Sequence, residues 1–451
     1  MAVFIAKRVR FVRALQYRSF ALLWLGQTIS SLGDGAYYTA LAWLILILTG
    51  SATAMGIVVT ASAIPRVVFL LFGGVVADRL PRRLVMLWSD SGRAVLVLLI
   101  TVLAWMHQLQ IWHLVVLSLL FGFVDGFFIP SYQSIPPQLV PKEDLPSANA
   151  LNELSQHFSQ LLGPLLGAAC VALVGPASAF GFDGLTFLAS ALCLVAIRLP
   201  VSTLPGGSVE ASEVMASPRT AGNTAGELQE VVEGAVPLKP TPRPGVRGVL
   251  EDMREGLTYV MSSTWVWVTI VVASLGNIFL VAPLVVAMPK LVHDSYGAGV
   301  WLLGTMATAS AIGSISAVLI VGQLKQIRWR GIKAYTAMIG AGFALIAMGW
   351  PLPQVTEPFV ALPANVVLGF GIGFFNVIWF IVLQQMIPSD KLGRVSSIDM
   401  MGSLCLTPIG MALGGVVTDR IGPRLVFIGC GVICVACQAL ALLVRGIREL
   451  D

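Results

Sequence analysis

The segment ASAIPRVVFLLFGGVVADRLPRR, residues 61–83, decides the fold of this chain. It is an apolar run with a single cation, Arg66, and it ends in the basic cluster Arg79, Arg82 and Arg83. About 20 apolar residues cross a bilayer as a helix, and basic residues collect at the cytoplasmic end of such a helix. The whole chain has the same character, with 57% hydrophobic and 11% charged residues. This composition excludes a water-soluble globular fold and predicts a membrane protein.

Twelve apolar runs of this kind follow one another along the chain. An even number of spans puts both termini on one side of the membrane. If that side is the cytoplasm, 23 of the 28 Lys and Arg residues fall in cytoplasmic segments and 3 in external loops. The positive-inside rule therefore predicts cytoplasmic N- and C-termini in the inner (plasma) membrane of the cell. The predicted spans cover residues 20–48, 53–77, 84–106, 112–134, 147–173, 177–198, 263–289, 300–323, 333–351, 357–386, 394–418 and 424–444.

The two halves of the chain repeat one another at a nearly constant offset. ASAI at 61–64 recurs at 309–312, and the glycines and last two phenylalanines of 122–128 recur in 369–375. Because this register holds across five helices, we predict an all-α membrane protein with twelve transmembrane helices in two six-helix bundles. Bundles related in this way rock about a site near the bilayer midplane, which favours transport.

The domain boundaries follow from the spans and from one long polar stretch. Residues 20–198 and 263–444 are predicted to be the two bundles, with residues 1–19 and 445–451 as cytoplasmic segments at the termini. Residues 199–262 are predicted to be a cytoplasmic linker. The linker is rich in Pro, Gly, Ser and Thr at first and then has apolar residues at helical spacing, which predicts a surface helix before span 7.

The segment GVVADRLPRR at 74–83 resembles the major facilitator superfamily signature G-x-x-x-D-R-x-G-R-R, with Pro81 where the family has Gly. The resemblance implies a cytoplasmic gate in which Asp78 faces the N-terminus of a helix in one closed state. The alternative is a basic turn that sets only the topology. The residues of this gating motif are Gly74, Asp78, Arg79, Arg82 and Arg83.

In span 5, GPLLG at 163–167 resembles the core of the antiporter motif of proton-driven exporters in this superfamily. Gly163 and Gly167 allow close helix contact, and Pro164 bends the helix. Tight helix packing without any role in transport is the alternative. Together with YRSFALLWLGQTISSLGD at 17–34, these motifs resemble the macrolide-efflux and enterobactin-export branch. That resemblance implies export of drug-like or siderophore-like molecules.

Charged residues inside the spans are candidate functional groups, because a charge in a bilayer is costly. Asp34 and Arg66 lie about 20 Å and about 18 Å from the cytoplasmic ends of their spans, which predicts an Asp34–Arg66 pair near the central cavity. The pair either binds substrate or a proton, or is a static link between two helices. Asp125 lies about 13 Å deep with no cation of comparable depth evident, so we predict an unpaired proton carrier there.

Asp90 and Arg93 share one helical face near the basic loop, and we predict that they form a cytoplasmic gate network with it. Glu153 and Asp399 also lie toward the cytoplasmic side and are predicted gate latches. Aromatic and polar side chains elsewhere in the spans would suit a bulky, partly apolar ligand, although packing explains the aromatics equally well. These ligand candidates are Tyr37, Tyr38, Asn277, Asn376 and Trp379.

The sequence therefore predicts a secondary transporter that exports small organic molecules by alternating access, coupled to inward proton flow. A lipid or lysolipid translocator, a nutrient uptake porter and a non-transporting membrane sensor are the alternatives. The chain has no Walker motif or HExxH constellation, and its six Cys lie in apolar runs without metal-site spacing. We expect no enzyme activity, cofactor or metal. The expected partners are a small-molecule substrate, protons and the lipid bilayer, without nucleic acid, and the expected state is a monomer.

Overall fold

The computed structural model describes residues 10–197, 246–324 and 327–450, without the side chains of residues 10–11, 71–79, 246–253, 389–390 and 403–405. These three ranges contain helices, turns and loops, and no strand occurs in them. The polar part of the predicted linker lies almost wholly outside the described residues.

Twelve long helices make up most of the described chain, and a surface helix, Val246–Ser262, precedes the seventh of them. Short helical turns occur at Arg10–Gln16, Pro136–Leu139, Lys142–Asp144 and Arg445–Arg448. The long helices are α1 (Arg18–Thr49), α2 (Ala52–Arg79), α3 (Arg82–Trp105), α4 (Ile111–Ser134), α5 (Leu145–Leu173), α6 (Pro176–Ala196), α7 (Thr264–Val281), α8 (Val300–Gln323), α9 (Arg330–Gly349), α10 (Glu357–Met386), α11 (Ser389–Ile421) and α12 (Pro423–Ala441).

Eleven helices in the described part of the chain are long and apolar enough to cross a membrane. The long helix that is not among them is α5, which has 29 residues but carries polar side chains such as Asn152, Glu153 and Gln156. The all-helical membrane architecture is confirmed. A twelfth crossing by α5 and the predicted domain boundaries stay predictions.

Tight turns join neighbouring helices where glycine permits a left-handed backbone. Gly50 ends α1 with φ of 63°, and its N–H binds the Leu46 carbonyl. Gly422 separates α11 from α12 with φ of 85°, and Pro423 follows it as the first residue of α12. Glycine adopts a positive φ without strain, and proline fits the first helical turn because the N–H there needs no partner.

The chain after α7 continues as an irregular helix. It passes through two π-helical stretches, Ala282–Ala287 and Leu291–Ser295, with the short turn Met288–Lys290 between them. Pro283 and Pro289 lie in this segment and cannot donate the hydrogen bonds of a regular α-helix. Local π-helical turns of this kind are frequent at functional sites. We call residues 282–295 the irregular segment.

Close glycine contacts recur at equivalent places in the two halves of the chain. A Cβ on Gly122 would lie 2.0 Å from the Ser62 carbonyl oxygen, and one on Gly369 would lie 1.8 Å from the Ser310 carbonyl oxygen. Only glycine lets α4 approach α2, and α10 approach α8, this closely. Gly122 and Ser62 are the sequence-repeat partners of Gly369 and Ser310. The repeat in the sequence is therefore also a repeat of helix contacts.

Helices from the two halves of the chain meet along α2 and α11 and along α5 and α8. Thr60 donates to the Pro408 carbonyl (3.2 Å), and Thr308 donates to the Leu161 carbonyl (2.8 Å). We call the end of the molecule at which α1 begins the terminal end. Each of these contacts lies in the half of its helices nearer to the other end, which we call the far end.

A charged contact lies at the far end of the molecule. The carboxylate of Asp419, in the last turn of α11, accepts the backbone N–H groups of Ala52 (2.9 Å) and Thr53 (2.8 Å) at the start of α2. Lys290 of the irregular segment lies 2.6 Å from the same carboxylate. A carboxylate at a helix N-terminus is stabilised by the unpaired N–H groups there. This contact joins α2, α11 and the irregular segment.

Candidate functional site

Two cavities meet inside the molecule. The central cavity, about 780 Å³, is lined by α1, α2, α5, α8, α10, the irregular segment and one side chain of α11. The terminal cavity, about 600 Å³, is lined by α1, α3, α4, α5 and the start of the turn Pro136–Leu139. Ser31, Asp34 and Gln156 line both cavities. These three side chains therefore mark the place where the cavities meet.

Asp34 is a half-buried acid of α1 at this meeting point. Among the described side chains, no cation lies within 4.0 Å of its carboxylate. The predicted Asp34–Arg66 ion pair is therefore wrong. Depth along separate helices placed the two residues level, but the direction in which each side chain leaves its helix determines its partner.

Arg66 of α2 binds Asp125 of α4 instead. Its Nε lies 2.9 Å from Oδ2 of Asp125 without forming a hydrogen bond, and its Nη2 donates to the hydroxyl of Tyr38 (2.9 Å). Asp125 also lies 3.3 Å from Nη1 of Arg93. The prediction that Asp125 lacks a cation is wrong as well. Gly126 lies against the backbone of Arg66 at the crossing of α2 and α4, and this crossing brings the long arginine side chain to the acid.

Arg93 extends the charged chain from α4 into α3 and α6. It pairs with Asp90, three residues earlier on α3, and Asp90 accepts a hydrogen bond from Ser190 of α6 (2.6 Å). The guanidinium of Arg93 lies 4.0 Å from the ring centre of Phe128 and 4.6 Å from that of Phe187. Aromatic faces stabilise a cation that has lost its water. The Asp90–Arg93 pair is thus buried within the first six helices.

The predicted gate residues do not form one cluster among the described side chains. Arg82 donates to the last carbonyl of α4, and Arg83 donates to two carbonyls at the end of α6 (2.6 and 2.7 Å). Cations are favoured at helix C-termini, where carbonyls lack partners. Neither side chain contacts Asp90 or Arg93, so the predicted network with the basic loop does not form among the described side chains. The remaining motif residues, Gly74, Asp78 and Arg79, lie in the part of α2 whose side chains are outside the description.

The structure separates the predicted ligand candidates. Tyr38 lines the central cavity beside Arg66. Tyr37 is buried and stacks on Phe121, with ring centres 5.7 Å apart. The indole N–H of Trp379 donates to the carboxylate of Asp399 (3.0 Å), which links α10 to α11. Apart from Tyr38, the candidates Tyr37, Asn277, Asn376 and Trp379 do not line either of these two cavities.

The antiporter-like motif packs α5 against α1 next to Asp34. A Cβ on Gly163 would lie 2.8 Å from the Cα of Gly35, and one on Gly167 would lie 2.6 Å from a carbonyl oxygen of α1. Pro164 lines the central cavity. The glycines of the motif therefore bring the backbones of α5 and α1 together at the level where the two cavities meet.

The two cavities differ in character. The terminal cavity has a polar lining that includes Gln27, Asn152, Glu153 and Gln156. The predicted latch Glu153 is therefore a cavity side chain, and it is exposed. The part of the central cavity nearest the far end, which we call the far wall, is apolar and contains several methionines. Their flexible thioether side chains adapt to irregular surfaces. The methionines of this far wall are Met55, Met288, Met306 and Met411.

Two charged features were not predicted from the sequence, namely Asp183 and the pairing of Lys290 with Asp419. Asp183 of α6 is 0% exposed, and its Oδ2 has no hydrogen-bond partner among the described atoms. Asp183 could have been predicted from the sequence, because it interrupts the apolar run FGFDGLTF at 180–187 and a charge in a bilayer is costly. The ion pair between Lys290 and Asp419 could not be predicted from the sequence, because 129 residues separate them in the chain.

The arrangement presents one acid, Asp34, to two cavities without an ion-pair partner among the described side chains. Such a carboxylate can bind a proton or a cationic group. In the described residues, no group of three His, Cys, Asp or Glu side chains could hold a metal ion. The carboxylate at the meeting point can therefore bind a proton or an organic cation.

Comparisons with known proteins agree with this architecture. The family described as Major Facilitator Superfamily matches residues 23–404 and 366–450. Macrolide efflux protein A of Streptococcus pyogenes is 20% identical, over 96% of this chain and 97% of its own. Multidrug efflux pump Tap of Mycolicibacterium fortuitum is 26% identical, over 93% and 94%. A solved bacterial homologue of the iron transporter ferroportin, in an inward-facing state, shares the fold with TM-score 0.65 and 15% identity, over 94% of this chain and 98% of that one.

Proposed function

Because the chain belongs to the Major Facilitator Superfamily, we propose that it exports small organic molecules across a bacterial membrane in exchange for protons. Membership makes it a multi-pass membrane transporter of small molecules and not an enzyme, which confirms that part of the sequence prediction. The efflux proteins among its relatives support export. The repeated contacts of Gly122 and Gly369 support two six-helix bundles, and the distribution of Lys and Arg supports cytoplasmic termini.

The position of Asp34 is the observation that carries the proposal. Its carboxylate lines both cavities and has no cation partner among the described side chains. A buried carboxylate is stabilised by a proton or by a bound cation. Because both bind the same oxygen atoms, binding of a cationic ligand releases the proton, and binding of a proton releases the ligand. This competition couples ligand export to proton entry.

The contacts between the halves support entry of the ligand from the terminal end. The polar terminal cavity leads to Asp34, and the central cavity continues from there to its apolar far wall. The far end is closed by the contact of Lys290 with Asp419 and by the crossing of α2 with α11. With cytoplasmic termini, this conformation receives ligand from the cytoplasm. Rocking of the bundles then closes the terminal end and breaks the far-end contacts.

The size and lining of the central cavity favour a drug-sized molecule with a basic nitrogen. Its volume, about 780 Å³, is in the range of about 300–1,000 Å³ that is typical of drug-sized ligands. The nitrogen would bind at Asp34, close to Tyr38, and the apolar body would contact the methionines of the far wall. Thioether side chains adapt to ligands of different shape, which supports a broad ligand range. One chain encloses both cavities, so the proposal needs only a monomer.

Transport by proteoliposomes under an imposed pH gradient tests this function, with ethidium as the cationic probe. We expect the wild type to accumulate ethidium in an acidic lumen, because protons leaving the lumen drive ethidium in. Asp34→Asn keeps the size of the side chain but cannot bind a proton, so we expect gradient-driven accumulation to be lost. The matched control is Asp294→Asn, at an exposed acid of the far end. Its accumulation should equal that of the wild type.

Two results of this experiment would overturn the proposal. Unchanged gradient-driven accumulation in Asp34→Asn would remove Asp34 from the coupling mechanism. No accumulation of ethidium by the wild type, in protein that still binds ethidium, would show that proton exchange does not drive export.

A further inference from the structure

The first six helices bury more acids than cations around Asp34. Two of the acids, Asp90 and Asp125, contact an arginine, whereas Asp34 and Asp183 have no cation within ion-pair distance among the described side chains. An unpaired charge at membrane depth is costly, so an acid of this kind must be neutral or meet a cation that enters the site. Among the described side chains of this region, the acids are Asp34, Asp90, Asp125 and Asp183, and the cations are Arg66 and Arg93.

Asp183 is the more deeply buried of the two acids without a cation. It is 0% exposed and lines neither cavity. Its Oδ1 lies against Gly33, where a Cβ would be only 2.4 Å away, and Gly33 precedes Asp34 in α1. The Thr186 hydroxyl is 3.4 Å from Oδ1, and Oδ2 has no partner. The charged and titratable groups that interact electrostatically with it are Asp34 and Tyr37 of α1 and Arg93 of α3.

We propose that Asp183 is a second proton-binding carboxyl, so that two protons enter, one on Asp34 and one on Asp183, for each monovalent organic cation that leaves. The inference rests on the proposed function. Asp34 exchanges protons with water in the cavities. It passes one proton to Asp183, which lines neither cavity, and takes that proton back and releases it before the organic cation binds. Each cycle moves two positive charges inward and one outward. Transport therefore moves one net positive charge inward per cycle.

Membrane potential distinguishes this exchange from a one-proton mechanism. Exchange of one proton for one ethidium ion moves no net charge, so a potential cannot drive it. Exchange of two protons responds to potential. In proteoliposomes with equal pH on both sides, a potassium gradient and valinomycin set a lumen-positive potential. This potential opposes passive entry of ethidium, so accumulation in the lumen is the signature of two-proton exchange.

The variants assign the second proton to a residue. We expect the wild type to accumulate ethidium under the potential alone. Asp183→Asn should lose this accumulation and keep the accumulation driven by a pH gradient, because Asp34 still binds one proton. Asp34→Asn should lose both, and the control Asp294→Asn should keep both. Asp183→Ser, with a smaller side chain, is a second variant, and ethidium binding shows which variants are folded.

The outcomes separate this inference from the proposed function. A wild type that responds to pH but not to potential overturns the two-proton exchange and leaves proton-driven export intact. Accumulation under potential that survives in folded Asp183→Asn or Asp183→Ser shows that Asp183 is structural, which also overturns the inference. A wild type that responds to neither gradient overturns both.

Discussion

At the scale of single residues, Asp125 is the acid that forms ion pairs with two arginines. Arg66 approaches it from α2 and Arg93 from α3, at 2.9 and 3.3 Å. Arg93 has a second partner in Asp90, whereas Arg66 has, among the described side chains, only the hydroxyl of Tyr38 besides Asp125. Loss of the Asp125 charge would therefore leave Arg66 beside a hydroxyl alone, at membrane depth. An acid in this position stabilises the helices whether or not it takes part in transport.

We expect Asp125→Asn to lower the free energy of unfolding by about 1–3 kcal/mol, between the values for exposed and buried pairs, because it leaves the half-buried charge of Arg66 uncompensated. Thermal unfolding in detergent measures the change, with Asp294→Asn as the exposed control. The double variant Arg66→Gln with Asp125→Asn removes both charges and should recover much of the loss. If the double variant is no more stable than Asp125→Asn, the ion pair is not the cause.

At the scale of helices, the glycine contacts of the repeat lead to a matched pair of predictions. Gly122→Ala and Gly369→Ala should each reduce the yield of monodisperse protein, because a Cβ would meet a carbonyl oxygen at 2.0 and 1.8 Å. Gly429→Ala is the control, since nothing lies within 4 Å of a Cβ there. Size-exclusion chromatography and thermal unfolding measure the effect. Unequal results for the two repeat positions would contradict the equivalence of the two helix crossings.

The positions of the helices could be predicted from the sequence far better than their contacts. Apolar runs of about 20 residues give the spans directly, so the run 112–134 corresponds to Ile111–Ser134. The continuation of α7 as the irregular segment was not predictable, because apolar composition does not distinguish π-helical turns from α-helix. The choice of Asp125 over Asp34 by Arg66 depends on the rotation of α2 about its axis and on its crossing with α4. The position of a residue along its span gives its depth in the membrane, but neither the rotation of the helix nor its crossing angle.

At the scale of the whole molecule, the far-end contact stabilises the conformation described here. Asp419 joins the end of α11 to the first N–H groups of α2, and Lys290 adds a third element. The α2 and α11 helices belong to different halves of the chain, so any motion that opens the far end must break this contact. Beneath it lies the methionine far wall of the central cavity. We therefore infer that the contact helps to keep the cavity closed toward the far side of the membrane.

Asp419→Asn should shift the molecule toward a conformation that is open at the far end. A hydrogen bond to a charged group contributes about 1.5–3 kcal/mol, so its loss should raise the far-open fraction by about tenfold or more. The reporter is Met411→Cys, which lines the central cavity in α11, in a background with the six native cysteines replaced by alanine. A membrane-impermeant thiol reagent added to intact cells should label it faster when Asp419→Asn is present. Lys290→Gln should act in the same direction, and Asp294→Asn should have no effect. Equal labelling rates with and without Asp419→Asn would mean that the helix crossings alone keep the far end closed.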